Sequence, residues 1–358
     1  MLIVRSPVRI SFAGGGTDLP AYYQQFGGAV LSTAINKYFY TILGKRSDGR
    51  VQIISSDLRI FETWADIAAM DSADSRLEIP VATLKELGCE LSVDLFLASE
   101  IPPGTGLGSS ASVCVNLLKT LTTYLRIPVS KYELAERAFH IARDRLGHHL
   151  GKQDEYASAF GGLNFFEFQR DGTVRVSPLA MDGQMLSELQ NSLMLFFTGS
   201  AHNSWQILEE QESSTRTRSG PTIDALHEVR ATAEEMRNAL RAGDLKSFGR
   251  LLHRGWLAKK QISTRISNTR IDKLYDLALQ SGALGGKITG AGGGGFLLIC
   301  CEPEHQNGVR DALDREGVRQ MSFGFDFQGA QLIVNDPFID GDEQSAARWT
   351  FLPTSSLV

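Results

Sequence analysis

Residues 102–112 read Pro-Pro-Gly-Thr-Gly-Leu-Gly-Ser-Ser-Ala-Ser, and no other run restricts the possible folds of this chain as much. The prolines and first glycine end an apolar strand predicted over residues 91–97. Beyond the run, the apolar positions Val113, Val115, Leu117, Leu118, Leu121 and Leu125 predict a largely buried helix over residues 109–125. Between strand and helix, Gly104, Gly106 and Gly108 alternate with Thr105 and Leu107, so the backbone is free to adopt positive φ and to approach a ligand closely. The N–H groups at a helix start, with the helix dipole behind them, suit an anion. The chemistry of the turn is therefore that of a polyphosphate cradle, running from Pro103 to Ser110. No Gly-Lys-Ser/Thr follows, so this is not a Walker loop, and the hydroxyls of Ser109 and Ser110 become the candidates for a phosphate or Mg²⁺ contact. A tight turn before a buried helix would use the same residues, and the run alone leaves both readings open.

Two further runs carry chemistry. Residues 147–160, Gly-His-His-Leu-Gly-Lys-Gln-Asp-Glu-Tyr-Ala-Ser-Ala-Phe, set charged and amide groups in a glycine-flanked loop between a helix and an apolar segment. Asp154, beside Lys152, is the candidate base that accepts a proton from an attacking hydroxyl. An acid that merely caps a helix starting near Glu155 accounts for the same pattern. His148 and His149 are adjacent, so they do not easily face one metal ion, and no other histidine or cysteine stands at ligand spacing from them. Residues 285–296, Gly-Gly-Lys-Ile-Thr-Gly-Ala-Gly-Gly-Gly-Gly-Phe, lead into an apolar strand. So many glycines cost conformational entropy, which implies that something comes very close to that backbone.

The remainder of the sequence sets the frame. At 358 residues the chain fits about two domains, and a polar stretch between residues 177 and 190 marks the boundary, giving units of 1–180 and 181–358. Strands are expected at 39–43, 51–55, 162–168, 193–197 and 295–301, with helices at 221–242, 244–260 and 271–280. Ser130 and Glu133 form a capping box for another helix that stops near Gly147. The formal charge of -5 is spread along the sequence, which argues against a nucleic-acid groove. No run approaches the ~20 apolar residues of a membrane span. Cys89, Cys114, Cys300 and Cys301 show no CxxC spacing, as expected in a reducing, cytoplasmic compartment.

Taken together and in this order, the motifs resemble those of the GHMP kinase superfamily, the galactokinase, homoserine, mevalonate and phosphomevalonate kinases, over nearly the whole chain. Ser6-Pro7-Val8-Arg9-Ile10 through Gly14-Gly15-Gly16-Thr17-Asp18 is similar to the first motif, residues 102–110 to the second and residues 287–295 to the third. The resemblance implies an α+β two-domain fold, with an N-terminal ribosomal-S5-like domain, a C-terminal ferredoxin-like domain and the active site between them. It further implies that residues 103–110 hold ATP, that Ser110 coordinates Mg²⁺, and that Asp154 is the base or orienting carboxylate. Arg9 falls where relatives steady the developing charge, and Asp18 where sugar kinases bind substrate hydroxyls. Gly15, Gly16, Thr17, Lys152, Gly292 and Gly293 are the further expected substrate contacts.

Within the superfamily, Gly-Gly-Gly-Thr-Asp at 14–18, Gly-Lys-Gln-Asp-Glu-Tyr at 151–156 and residues 282–287 are most similar to the D-glycero-D-manno-heptose 7-phosphate 1-kinases, which phosphorylate an anomeric hydroxyl. Three positions depart from the family. Glu155 stands where relatives show Gln, and Ala142 where they often show a Glu near a second Mg²⁺ ligand, a role for which Asp144 is the nearby substitute. His202 stands where they tend to carry Arg, a change that favours a sugar with a different distal group. The expected partner is thus a sugar or sugar phosphate, with a homodimer as one assembly the resemblance allows. A kinase for L-fucose or for an unphosphorylated heptose or octose, and a silent sensor of ATP and sugar, are the competing readings.

Overall fold

In the computed structural model of the protein, residues 1–72, 74–88, 90–199, 204–217 and 220–336 are described. The first half runs β1 (Leu2–Ala13), α1 (Pro20–Phe26), β2 (Gly28–Lys45), β3 (Val51–Ser55), β4 (Ile60–Trp64), α2 (Glu78–Glu86), β5 (Val93–Ser99), α3 (Ser109–Tyr124), α4 (Lys131–His140), α5 (Gln153–Phe160), β6 (Leu163–Phe168) and β7 (Val174–Pro178). The second half follows with α6 (Gly183–Asn191), β8 (Leu193–Phe197), α7 (Ser204–Arg216), α8 (Gly220–Arg241), α9 (Leu245–Lys260), α10 (Thr269–Gln280), β9 (Ala283–Ile288), β10 (Phe296–Cys301), α11 (Gln306–Arg315), β11 (Arg319–Met321) and β12 (Gln331–Asn335).

These strands form two sheets. The larger has the order β12-β1-β2-β5-β3-β4, with β6 and β7 continuing from β2; the smaller has the order β11-β8-β10-β9. Strand β2 organises the larger sheet, because its 18 residues are long enough to pair with β1 along one edge and with both β6 and β5 along the other. Helix α3 lays Leu117 and Leu121 against Leu43, Ile53 and Leu95 of that sheet. A second core joins the halves. Ile10 and Phe12 of β1 pack with Leu195, Met236, Phe248, Leu252 and Leu298, and the Phe12 and Phe248 rings meet edge to face at 5.3 Å.

The expected boundary near residue 180 falls between β7 and β8, where the chain leaves one sheet for the other. No single cut describes the whole chain, since β12 returns and pairs with β1, Leu2 opposite Asn335. The capping box forms as expected, Ser130 accepting from Glu133 N while Glu133 reaches back to Ser130 N, and the helix then widens into a π turn at Ile141–Arg145. The reading of residues 285–288 as loop gives way to strand β9. Its glycines serve packing, because a Cβ on Gly285 would lie 2.2 Å from the carbonyl oxygen of Gly249 in α9. Helices α1, α2, α6, α7 and α11 and strands β4, β7, β11 and β12 went unread in the sequence, and α6 occupies most of the polar stretch at the expected boundary. Cys114, Cys300 and Cys301 are buried free thiols. Cys89, His202 and the residues beyond 336 lie outside the described residues. No helix among the described residues is long and apolar enough to cross a membrane.

Candidate active site

The glycine turn before α3 has the backbone its sequence requires. Gly104, Gly106 and Gly108 take φ of +73°, +80° and +76°, and Gly108 is the residue from which α3 starts. Behind them stands the third motif. A Cβ on Gly106 would lie 2.5 Å from Thr289 O, one on Gly290 2.5 Å from Gly106 Cα, and one on Gly295 2.2 Å from Thr105 O. What comes so close to the third glycine run is therefore the main chain of the second. Thr105 O accepts from Phe296 N at 3.3 Å, completing a clamp between the loops. Gly292 and Gly293 serve the same packing on the other side, Gly293 N donating to Ile266 O at 2.8 Å.

Arg9 and Asp154 meet beside this turn. Arg9 lies in the buried run of β1, and Asp154 lies in the first turn of α5 with its side chain 26% exposed. The guanidinium donates from Nε to Asp154 Oδ1 and from Nη2 to Oδ2, both at 2.7 Å, while Nη1 donates to Gly106 O at 2.6 Å. One planar cation thus ties the candidate base to the candidate cradle and fixes their separation. The site for a Cβ on Gly108 is 3.1 Å from Asp154 Oδ2, so the carboxylate faces the start of α3.

Asp18 is buried in the same place. Its oxygens accept from Gly16 N at 2.8 Å and Gln153 N at 3.2 Å, and Lys152 N donates to Asp18 O at 3.3 Å. Asp18 therefore stitches the first motif to the loop that carries Asp154. Burial, then the charge of Asp154, raises its carboxyl above the ordinary aspartate value. The Thr17 hydroxyl is engaged by Gly14 O and Ala29 O. Gly16 is covered by Gln211 of α7, whose Nε2 donates to Gly16 O at 3.2 Å, and Gly15 lies between Ser11 and Gln153.

Two expected residues are not drawn to this centre. Lys152 points into the first half, with Nζ donating to both Glu136 oxygens at 2.8 Å and to Gly172 O at 2.7 Å, because a buried ammonium needs its donors filled. Asp144 turns outward from the π turn and bonds His140 Nδ1 at 2.7 Å on the exposed surface. The residues to which sequence reasoning gave no role are polar side chains with an atom that lacks a hydrogen-bond partner. Ser11 Oγ, Gln153 Oε1 and Glu155 Oε2 are all buried and unsatisfied. Glu155 is 1% exposed, and burial followed by the charge of Asp154 raises its carboxyl well above the ordinary glutamate value. The signal for Glu155 was present in the sequence, as a charged residue at a position where the family carries an amide.

Comparison with known proteins bears on the same regions. Residues 78–162 match the model of the GHMP kinases N terminal domain and residues 219–319 that of the GHMP kinases C terminal. A D-glycero-alpha-D-manno-heptose 7-phosphate kinase of Campylobacter jejuni is 32% identical over 332 residues, which cover 91% of this chain and 97% of that protein. The crystal structure of a D-glycero-D-manno-heptose 1-phosphate kinase from Bacteroides thetaiotaomicron is 30% identical and superposes with a TM-score of 0.78, over 94% of this chain and all of the other. A Lactococcus lactis galactokinase complexed with galactose is 21% identical with a TM-score of 0.73, over 92% of this chain and 94% of that one, a likeness of fold.

Proposed function

Because the chain belongs to the GHMP kinase family, we propose that it transfers the γ-phosphate of ATP to the anomeric hydroxyl of a heptose 7-phosphate or a closely related sugar. One observation carries the reading: the Arg9 fork that holds Asp154 at the mouth of the glycine cradle. The heptose part follows the relatives at 30% and 32% identity, which span most of this chain.

The chemistry asks the protein for position and charge. Nucleotide phosphates lie along the N–H groups between Gly104 and Ser110, at the start of α3. The acceptor hydroxyl faces Asp154, its oxygen attacks the γ-phosphorus, and the bond to the β–γ bridging oxygen breaks, with ADP carrying off the electron pair. The hydroxyl proton passes to the Asp154 carboxylate, whose remaining lone pairs are aimed by the two bonds from Arg9. Arg9 also lies close enough to the cradle to offset charge on the transferring group. Ser11, Gly15, Asp18, Gln153 and Gln211 shape the acceptor side.

Mg²⁺ fits the donor set. The Ser110 hydroxyl at the exposed start of α3 and the unpartnered oxygen of Glu155 are hard oxygen ligands of the kind this ion takes. When bound, the ion neutralises charge on the β- and γ-phosphates.

The test is ADP release by the purified chain with Mg·ATP and a panel of heptose 7-phosphate, unphosphorylated heptose, L-fucose and galactose. Phosphorus–proton coupling in NMR then locates the new phosphate. Turnover with a heptose and phosphate on the anomeric oxygen is expected. Phosphate on a primary hydroxyl would exclude the anomeric assignment, and ligand binding without ADP release from any sugar would point to the sensor.

A further inference from the structure

Two lysines stand where the charges of the site are most crowded, and no step above uses them. Lys259 at the end of α9 and Lys287 in β9 are 6% and 5% exposed. Lysines are rarely buried to this degree unless paired. Among the described residues neither has a carboxylate in ion-pair contact. Lys259 Nζ donates to Gly290 O, and Lys287 Nζ reaches Phe12 O at 3.4 Å. The charged groups that face Lys259 are Arg9 from β1, Asp18 from the loop after it and Asp154 from α5. Those facing Lys287 are Lys259, Arg9 and Asp18. Three basic side chains therefore converge on two carboxylates, and one of these carboxylates is already forked by Arg9.

Location adds meaning to that surplus. Gly290, whose carbonyl Lys259 holds, packs main chain to main chain on Gly106, whose carbonyl Arg9 holds. The two cations thus grip opposite sides of one joint, and the joint is the floor of the phosphate cradle. Buried positive charge without a counter-ion is unfavourable, and an arriving anion reverses the balance. We propose that Lys259, backed by Lys287, is an anion-binding group for the terminal phosphate of the bound nucleotide, an inference that rests on the nucleotide reading of the cradle.

The proposal has a signature that a lysine serving only to tie Gly290 would not produce. Burial, then the neighbouring Arg9, lowers the Lys259 ammonium to about 8. Above that pH much of the empty enzyme carries a neutral Lys259, and a phosphate beside it favours the charged form. Burial and the charge of Lys259 lower the Lys287 ammonium as well, so the signature of Lys259 is the extra proton uptake on nucleotide binding that is present at pH 8.5 and absent at pH 7, where Lys259 is already charged.

Calorimetric titration of the full chain with Mg·ATP, without acceptor sugar, measures this when repeated in two buffers of different ionisation enthalpy. The wild type is expected to show that extra uptake, a fraction of a proton, at pH 8.5 and not at pH 7. Lys259→Met is expected to lose that uptake and to bind Mg·ATP about tenfold more weakly at pH 7, the scale of one lost charge-assisted bond. Lys259→Arg, charged at both pH values, should keep most of the affinity and show no extra uptake at pH 8.5. Wild-type uptake no larger at pH 8.5 than at pH 7, or the same extra uptake or unchanged affinity in Lys259→Met, overturns the proposal. Should Lys259→Met fail to fold, the wild type and Lys259→Arg decide it. A wild type that binds no Mg·ATP at all removes the nucleotide reading and this proposal together, which separates the two failures.

Discussion

Asp154 works under a constraint that Arg9 imposes. Two charge-assisted bonds fix the carboxylate plane, which in the proposed mechanism gives an acceptor hydroxyl an oriented partner at a lower entropic cost. Asp154→Asn keeps the size of the side chain and loses its capacity to take a proton. Turnover is expected to fall by at least ~10²-fold while Mg·ATP affinity stays within a few-fold of wild type; unchanged turnover would take Asp154 out of the mechanism. Glu155 makes the opposite case, a carboxyl with an oxygen left bare in the interior. Its folded-state value is raised, so the folded protein binds the proton more tightly than the unfolded chain does. Stability is then greatest below the unfolded value, ~4.3, and declines as pH climbs above it. Glu155→Gln removes that decline. Urea unfolding in EDTA should show the variant gaining on wild type at pH 8 and much less at pH 5; an equal shift at both would mean the carboxyl does not titrate in the folded state.

At the scale of elements, the glycine loops are fitted to each other. Gly106 takes φ +80° and leaves no room for a Cβ beside Thr289 O. Gly106→Ala should cost ~1–3 kcal/mol through backbone strain alone and also open the clamp, lowering both the urea midpoint and nucleotide affinity; wild-type values for both would show that the loops do not bear on each other. The position of these loops was legible from sequence because glycine spacing and the apolar face of α3 are local signals. The fork between Arg9 and Asp154 was legible only through family resemblance, since the two residues lie 145 positions apart. Lys152 shows the limit of such reading. Its neighbourhood in sequence suggested the site, whereas Glu136, sixteen residues earlier, claims its ammonium. Strand β9 was hidden because its glycines answer to α9, a contact between elements that no local pattern announces. Lys259 and Lys287 were equally invisible, as charged residues whose burial arises only when both halves pack.

Over the whole molecule, a shared apolar core and one polar knot bind the halves. Glu212 of α7, almost wholly buried, accepts from Arg143 Nη2 at 2.7 Å and from Arg216 Nη2 at 2.7 Å, and bonds His149 Nδ1 at 2.8 Å. Burial alone would raise its carboxyl, but the bonds from Arg143, His149 and Arg216 outweigh that and hold it at about 2. With the folded value depressed, this stabilisation is present above the unfolded glutamate value and is lost as pH falls toward 2. Glu212→Gln leaves two cations facing a neutral group and should cost about 3 kcal/mol near neutrality, the gap from wild type closing as the solution is acidified toward pH 3. A gap that stays constant down to pH 3 would mean the knot contributes no net charge stabilisation. The clamp between the glycine loops has a consequence for how such an enzyme diversifies. Where main chain touches main chain, there is no side chain for mutation to exchange, so the proposed donor cradle is closed to gradual change. On the proposed function, new acceptor preferences arise at the rim, through residues such as Ser11, Gln153 and Gln211.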